Sequence, residues 1–338
     1  MFPNIQEPPL SLFFSTLPLL CLIKIRSLLI LYKSIFQLNM KIYDCFMFFD
    51  EEMLLDLRLN IMNKYVDKFV ITEATYMHSG KPKKLVFDIN KFAKFKDKII
   101  YNVVDKEPPG IEEVNEEDKN LEDIRGQKLV NNSNKREHYQ RDMAIESLKN
   151  LDPEDIILIN DIDEIPNLEK INLNKIDQKI TIFKQNVFLY KFNLLYEGLT
   201  WYGSRACKKK HFISPQWLRD VKHKKYSPIR IDILFSKIKY SNMHYVENGG
   251  WHFSNIKTPE DIEKKFSNYL HHQEFEYSGL NLKDIKEMIK ERKILYEHGV
   301  DQTKNKLVSS KTLKKVDLSL MPNHIRENSK KYINWLDI

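Results

Sequence analysis

Two carboxylates stand where a buried strand must end. Asp161 and Asp163 form an Asp-x-Asp pair directly after the aliphatic run Ile156–Asn160. Such a run predicts a strand covered on both faces, and side chains two positions apart in an extended chain point the same way. Both carboxylates can therefore face one cation, and Mn²⁺ or Mg²⁺ prefers oxygen ligands while leaving positions open for substrate phosphates. The pair predicts a divalent metal site; the alternative is a solvated turn in which Asp serves as a helix cap.

The segments before this pair alternate between strand and helix patterns. Ile42 to Phe49 and Lys68 to Glu73 predict strands, and Glu51 to Tyr65 between them has apolar residues on one helical face. A third strand is predicted near Ile99 to Val104, and a helix over 136–151 leads to the Asp-x-Asp strand. Such alternation predicts an α/β fold with a mostly parallel sheet. Ligands of such sheets bind beyond the carboxyl ends of the strands, where the two carboxylates lie.

The second half is richer in aromatic residues and less regular. Strands are predicted within 180–195, and the segment 244–254 contains the pair Gly249-Gly250. Thr258-Pro259 has the pattern of a helix start, with a cap residue followed by Pro at the first position. We expect an irregular, aromatic-rich C-terminal half, followed by a peripheral tail over 301–338.

Composition and charge exclude several classes of protein. The chain has 338 residues, of which 42% are hydrophobic, so it can bury a proper core. The formal net charge is +7, but Lys outnumbers Arg, whereas base and phosphate recognition favours Arg forks, so we expect no nucleic-acid partner. Its three cysteines lack a C-x-x-C spacing, which argues against a disulfide framework or a zinc site.

Residues 1–39 have no globular pattern. Pro8 to Ile23 is uncharged and mostly apolar, but it is shorter than the about 20 residues that span a bilayer. A secretory signal fits least, because Glu7 precedes the run and no A-x-A site follows. Two interpretations stay open: a short membrane anchor over 8–32, or an extension upstream of Met40. We expect a cytoplasmic or membrane-associated protein that is not secreted, with its catalytic domain over 40–300.

Several motifs of this chain, taken in order, resemble glycosyltransferase family 17, the β-1,4-mannosyl-glycoprotein N-acetylglucosaminyltransferases. The resemblance covers most of the chain from Met40 to about Tyr332, and the order of the motifs makes it specific. Its carriers are Tyr43-Asp44-Cys45-Phe46, Leu57-Arg58-Leu59, Val70-Ile71-Thr72-Glu73-Ala74-Thr75, Ser79-Gly80-Lys81-Pro82-Lys83, Gln140-Arg141-Asp142, Asp161-Ile162-Asp163-Glu164-Ile165-Pro166 and Gly250-Trp251-His252-Phe253-Ser254.

The resemblance implies a GT-A-like fold and an inverting transfer of N-acetylglucosamine from UDP-GlcNAc to a glycan acceptor. Breaking the bond between sugar and diphosphate leaves negative charge on UDP, and a divalent ion stabilises that charge as it develops. Asp163 is then the first metal ligand, and Asp161 reaches the metal or the ribose. His252 is the third candidate ligand, because such transferases often bring a C-terminal residue back to the metal. The alternative for a lone His is a core or surface residue.

Other residues are candidates for binding the nucleotide. Arg141 lies four residues after Glu137, so it forms either an i,i+4 surface pair or a fork that holds the diphosphate or the metal carboxylates. Asp50 or Glu51, after the first strand, and Glu73, at the end of the second, are positioned to meet the nucleoside. Lys81, in the Ser-Gly-Lys-Pro loop, could contact phosphate or remain a solvated turn residue.

Inversion requires a general base that takes the proton of the acceptor hydroxyl. The sequence does not single it out. Glu247 is the first choice, because the loop that carries His252 would bring it beside the metal, and Asp220 and Glu164 are competitors.

Two rival functions remain. A haloacid-dehalogenase-type phosphatase also begins its chemistry at an Asp-x-Asp after a hydrophobic strand, with the first Asp as nucleophile. However, the sequence after Asp163 contains no Asp-Asp or Gly-Asp-x-x-x-Asp motif for Mg²⁺. A non-enzymatic carbohydrate-binding protein could use the aromatic residues, among them Trp201, Trp217 and Trp251, but it would leave the carboxylate pair without a purpose.

Overall fold

The computed structural model describes residues 40–115, 122–227, 229–268, 275, 279–294 and 311–338. The extension 1–39 lies outside these residues, and the choice between an anchor and an upstream segment stays a prediction. In the described part of the chain, no helix is both long enough and apolar enough to cross a membrane.

The first sheet is built around the strand that ends at the Asp-x-Asp pair. Numbered along the chain, its seven strands within the described residues are β1 (Ile42–Met47), β2 (Lys68–Ala74), β3 (Ile99–Val104), β4 (Ile156–Asn160), β6 (Thr181–Phe183), β9 (Arg205–Lys208) and β10 (His244–Val246). Their order across the sheet is β10-β6-β9-β4-β1-β2-β3. Strand β9 runs antiparallel to both neighbours, and the other pairs are parallel. Every residue of β4 is buried, as expected for a strand covered on both faces.

The second sheet begins where the chain leaves the Asp-x-Asp pair. Its strands are β5 (Glu164–Pro166), β7 (Gln185–Leu189), β8 (Leu194–Trp201), β11 (Gly250–Ser254) and β12 (Lys314–Lys315), in the order β12-β8-β7-β11-β5. Strand β11 is parallel to β7 and antiparallel to β5, so that His252 stands opposite Glu164. The Asp-x-Asp loop therefore joins the two sheets.

Helices flank the sheets and carry several side chains of the site. In the described residues they are α1 (Glu52–Met62), α2 (Glu122–Asp142), α3 (Pro215–Asp220), α4 (Ile231–Leu234), α5 (Pro259–Asn268), α6 (Leu282–Lys290) and α7 (Asn323–Glu327), with 3₁₀ segments between them. The short helix α3 has a well-defined start, because the Ser214 side chain accepts a hydrogen bond from the Trp217 amide and Pro215 takes the first position.

The α/β fold class, with a mostly parallel sheet flanked by helices, is confirmed, and the arrangement is consistent with the GT-A-like fold that the resemblance implies. The third predicted strand has the bounds of β3. The helix predicted over 136–151 instead begins at Glu122 and passes into a 3₁₀ turn, Met143–Leu148. The irregular C-terminal half forms most of the second sheet, whose pairings join segments far apart in sequence.

Residues 311–338, predicted to be peripheral, pack against the second sheet. Lys314–Lys315 pair with β8, and the ring of Tyr332 lies edge-on to that of Phe192 at 5.6 Å between centroids. Four further apolar side chains of this segment are buried: Leu313, Met321, Ile325 and Leu336. The Lys-rich composition of the tail does not reveal these widely spaced apolar residues, of which Leu313 packs in the apolar cluster of β7 and β8.

Candidate active site

A fully buried ion pair, Asp44–Arg58, contacts the backbone of the Asp-x-Asp loop. Arg58 on α1 donates hydrogen bonds from Nε and Nη2 to the two carboxylate oxygens of Asp44 on β1, at 2.8 and 2.6 Å. Its third nitrogen, Nη1, donates to the carbonyl oxygens of Glu164, at 2.7 Å, and Asp161, at 3.2 Å. The planar guanidinium has enough donors for both tasks. The core therefore fixes the path of the loop backbone.

Asp161 contacts two arginines from different helices. Arg141 Nη2 on α2 lies 3.1 Å from Oδ1, and Arg219 Nη2 on α3 lies 2.8 Å from Oδ2. Arg141 also pairs with Glu137 at 2.6 Å, so the i,i+4 pair and the carboxylate contact occur together. Burial raises the pKa of Asp161, but the charges of Arg219 and Arg141 outweigh it and hold the pKa well below its usual range. The Asp161 carboxylate is therefore ionised at neutral pH.

Glu164 anchors Arg219 from the other side. Its buried carboxylate accepts hydrogen bonds from Arg219, at 2.6 and 3.1 Å, from Trp201 Nε1, at 2.6 Å, and from the Asp161 amide, at 2.9 Å. Gly203 passes so close that a Cβ there would lie 2.0 Å from Glu164 Oε1. With both oxygens bonded, Glu164 is a positioning residue, and as a general base it would have to break these bonds first.

Asp163 faces His252 across the loop. His252 Nε2 lies 3.5 Å from Asp163 Oδ2, well within the distance expected from the sequence. The imidazole stacks on Trp201, with 4.6 Å between ring centroids, and its Nδ1 is buried with no hydrogen-bond partner in the described part of the chain. Burial lowers the pKa of His252, but the Asp163 carboxylate outweighs it and raises the pKa. The two side chains are electrostatically coupled.

A cavity of about 220 Å³ opens beside the two carboxylates, at the carboxyl ends of β1, β2 and β4. Asp161 and Asp163 form one side of it, and Glu51, His78 and Glu137 are among the other lining residues. The position of this cavity beyond the strand ends agrees with the location predicted for the site.

Lysines from the segment leading into α5 and from α5 itself lie next to these carboxylates. A smaller cavity, of about 50 Å³, shares Lys265 with the larger one and is also lined by Lys257, Lys264 and Asp50. Lys257 Nζ lies 2.7 Å from Asp50 Oδ1. Burial lowers the pKa of Lys265 more than the nearby Asp163 charge raises it. The positive charge of these lysines suits a phosphate-bearing ligand placed beside Asp161 and Asp163.

Three of the predicted nucleotide contacts, Glu73, Lys81 and Arg141, do not line either cavity. Glu73 is fully buried, and its carboxylate accepts hydrogen bonds from Tyr101 OH, at 2.8 Å, and from the amides of Val86 and Phe87, at 2.8 and 3.1 Å. It also pairs with Lys83. Its role in the structure is thus to tie the segment after β2 to β3. Lys81 is exposed on the turn that follows Gly80.

The predicted general bases also lie outside the cavity lining. Glu247 is 69% exposed on the turn before β11 and pairs with Lys184 at 2.5 Å. The shared loop does not bring it beside Asp163, because the extended strand β11 carries His252 away from the turn. Asp220, at the end of α3, accepts a hydrogen bond from Gln216 at 2.9 Å. The assignment of Glu247 as the general base stays a prediction.

Sequence reasoning missed Arg219, Glu137 and Lys265. Glu137 was recognised only as a possible i,i+4 partner of Arg141. No local pattern marks the other two, since Arg219 follows a capped helix start and Lys265 is one of many lysines in its segment. Only tertiary packing brings them to the Asp-x-Asp loop. For Arg219, the available signal was the helix start at Ser214-Pro215, which marks the helix α3 but not the arginine on it.

Asp163 and His252 are spaced as two ligands of one divalent ion would be. In the described residues, no group of three or more His, Cys, Asp or Glu could hold a metal ion. The 3.5 Å between Asp163 and His252 exceeds an ordinary hydrogen bond. It matches two ligands that each lie about 2.0–2.3 Å from one cation, which places them roughly 3–3.5 Å apart. Asp161 has both oxygens bonded to arginines, so it is better suited to a contact through water. A diphosphate could supply the remaining ligands.

Comparison with known proteins gives one family. The family model described as Glycosyltransferase family 17 matches residues 32–336, nearly the whole chain. A search of curated proteins finds no match.

Proposed function

We propose that this chain, which belongs to glycosyltransferase family 17 and is therefore a glycosyltransferase, transfers N-acetylglucosamine from UDP-GlcNAc to a mannose-containing or other glycan acceptor, with inversion at the anomeric carbon. The observation that carries the proposal is that two groups of side chains lie close together at the carboxyl edge of the first sheet. One is Asp163 with His252, and the other is Asp161 with its two arginines.

Asp163 and His252 would hold Mn²⁺ or Mg²⁺. When bound, the ion would neutralise charge on the diphosphate as the bond to the sugar breaks. The stacking of His252 on Trp201 supports this role, because it orients the ring with Nε2 toward Asp163. The buried Asp44–Arg58 pair supports it too, since a fixed loop backbone orients the first ligand.

Asp161 would act on the donor through its arginines. Arg141 and Arg219 have their charge partly neutralised by Asp161, Glu137 and Glu164, yet each guanidinium has five N–H donors. Arg141 Nε is buried and has no hydrogen-bond partner in the described part of the chain. Lys265 and Lys257 add positive charge from the α5 side of the cavity. This arrangement favours a diphosphate between the loop and α5.

The general base would be one of the carboxylates that line the larger cavity. Glu51 Oε2 accepts hydrogen bonds from the amides of Phe49 and Asp50, at 3.2 and 3.1 Å, which orient the side chain. Glu137 is bonded to Arg141, and although burial raises its pKa, the Arg141 charge outweighs this and lowers it. The Glu137 carboxylate is engaged by Arg141, so Glu51 is the first candidate to test.

A phosphatase mechanism has less support. It would need Asp161 as a nucleophile, but both Asp161 oxygens are hydrogen-bonded to arginine, which lowers their nucleophilicity. Family membership points to sugar transfer as well.

A donor screen tests the proposed function. The full chain is incubated with UDP-GlcNAc, UDP-glucose, UDP-galactose and a phosphate monoester, each with and without Mn²⁺, in the presence of a mannose-containing glycan. We expect release of UDP from UDP-GlcNAc that requires both Mn²⁺ and acceptor, and no release of phosphate. Metal-independent transfer, or use of another donor in preference to UDP-GlcNAc, would refute the corresponding part of the proposal.

A further inference from the structure

A further cavity within the described residues lies away from the candidate active site. It has a volume of about 550 Å³ and shares no lining residue with the two cavities beside the Asp-x-Asp loop. We call it the amide groove, because five asparagines line it: Asn60, Asn167, Asn186, Asn248 and Asn323. They come from α1, from the segment after β5, from β7, from the turn before β11 and from α7.

Strand β11 separates the amide groove from the active site. Trp251 lines the groove, whereas the next residue, His252, faces Asp163. Successive side chains of a strand point to opposite faces of the sheet, so β11 contributes Trp251 to the groove and His252 to the candidate active site. The groove is therefore on the other face of the second sheet and is not an extension of the cavity beside Asp161 and Asp163.

The side chains of the groove have capacity for a ligand. Those of Asn186 and Asn248 make no hydrogen bond with any described residue; Asn186 is half-buried on β7, and Asn248 is exposed. An amide offers two donors and one acceptor, which match sugar hydroxyls that donate and accept at once. Trp251 Nε1 donates to the Leu320 carbonyl oxygen at 2.7 Å, which holds the indole in place as a surface for a sugar ring.

The charges of the groove argue against a charged ligand. Lys64 and Glu169 pair with each other at 2.6 Å, and Arg326 bonds to Asn323. The remaining ionisable side chains, Lys170 and Glu327 among them, are of both signs. This balance does not form the one-sided positive field that anionic ligands require.

We propose that the amide groove binds a neutral oligosaccharide, at a site separate from the one where transfer takes place. Its volume falls within the range of about 300–1,000 Å³ that ligand sites occupy. Uncommitted amides, an oriented indole and balanced charge are the chemistry that a neutral, hydroxyl-rich ligand needs. The inference does not depend on the metal, the donor or the general base of the proposed function.

The test is direct binding to the full chain, without nucleotide or metal. Mannotriose and chitotriose are titrated by calorimetry, with saturation-transfer NMR to detect weak binding. We expect at least one of them to bind, and Asn186→Ala to weaken that binding about tenfold, because one side chain with several hydrogen bonds is removed. Asn334→Ala is the matched control, since Asn334 is exposed and lies outside the groove.

Two further variants test whether the trisaccharide binds in the amide groove or beside Asp163. Trp251→Leu, with its folding checked by circular dichroism, should also weaken binding, because it removes the indole surface. Asp163→Ala should bind the trisaccharide as the unmodified chain does, because Asp163 lines the other cavity. Absence of binding, an equal loss in Asn334→Ala, or a loss in Asp163→Ala alone would each overturn the proposal. None of these outcomes bears on whether UDP-GlcNAc is the donor.

Discussion

Arg58 joins Asp44 to the backbone of the Asp-x-Asp loop. It donates two hydrogen bonds to the Asp44 carboxylate and contacts the loop backbone through Nη1. One side chain thus connects the first strand of the sheet to the loop between the two sheets. Because neither member of the pair is exposed, removing one leaves the other as an uncompensated buried charge.

Asp44→Ala should therefore destabilise the protein strongly. We expect the free energy of unfolding to fall by about 3–5 kcal/mol, the usual cost of breaking a buried pair. Denaturant unfolding followed by fluorescence measures this change. Lys64→Ala is the control, because its exposed pair with Glu169 should contribute less than about 1 kcal/mol. Similar losses in the two variants would contradict the role given to the buried pair.

Arg219→Lys tests the arginine that sequence reasoning missed. Lysine keeps the charge but cannot contact Asp161 and Glu164 with a planar fork. We expect kcat to fall by about 10- to 100-fold, the usual effect of losing a partner that orients a site. Steady-state kinetics with UDP-GlcNAc measure it, and Arg230→Lys, at an exposed pair with Asp232, is the control. An unchanged kcat would leave Arg219 with a purely structural role.

The proposed metal ligands predict a shared dependence on Mn²⁺. Asp163→Ala should abolish transfer with little change in melting temperature, because the carboxylate lies at a strand end beside a cavity. His252→Ala should lower kcat and require more Mn²⁺ for half-maximal activity. Treatment of the unmodified chain with EDTA should abolish activity, and added Mn²⁺ should restore it. Full activity of Asp163→Ala would refute the metal assignment, and a large drop in its melting temperature would make the residue structural.

The general base can be sought among the carboxylates of the cavity. Glu51→Gln should reduce transfer by roughly 10²- to 10⁴-fold, the range for losing general-base catalysis, while UDP binding stays intact. Glu137→Gln is the second variant to test, because Glu137 lines the same cavity. Glu247→Gln should retain near-normal kcat, since its carboxylate is exposed and paired with Lys184. Loss of transfer in Glu247→Gln alone would restore the original assignment and require a large movement of its turn.

A chain that begins at Met40 should fold and remain active. The strands and helices of the two sheets and the residues of the candidate site all lie from Ile42 onward. The expected result is a soluble protein with the same kcat and melting temperature as the full chain. Failure to fold would show that residues 1–39 take part in the structure. Membrane fractionation of the full chain would separately test the predicted anchor.

Local patterns in the sequence predicted the parts of the structure that local forces determine. The aliphatic run of β4 and the alternation of strands and helices predicted the parallel strands β1 to β4 and the position of Asp161 and Asp163, but not the antiparallel β9 or the strand β10. The order of the family motifs led to His252. The second sheet could not be predicted, because its strands are short and pair over long sequence distances. Arg219 and Lys265 could not be identified either, since a buried network selects one arginine or lysine by packing and not by sequence context.

Because β11 directs Trp251 to one face of the sheet and His252 to the other, its position in the sheet limits which changes of chain length can be tolerated. A slip of one residue in the pairing of β11 would exchange the directions of Trp251 and His252 and disable both faces together. Gly250 guards against such a slip: its φ is +136°, and a Cβ there would lie 2.2 Å from the Ile165 carbonyl oxygen. Single-residue insertions or deletions between β10 and β11 should therefore be far less tolerated than substitutions, because length, more than residue type, sets which side chain reaches the carboxylates.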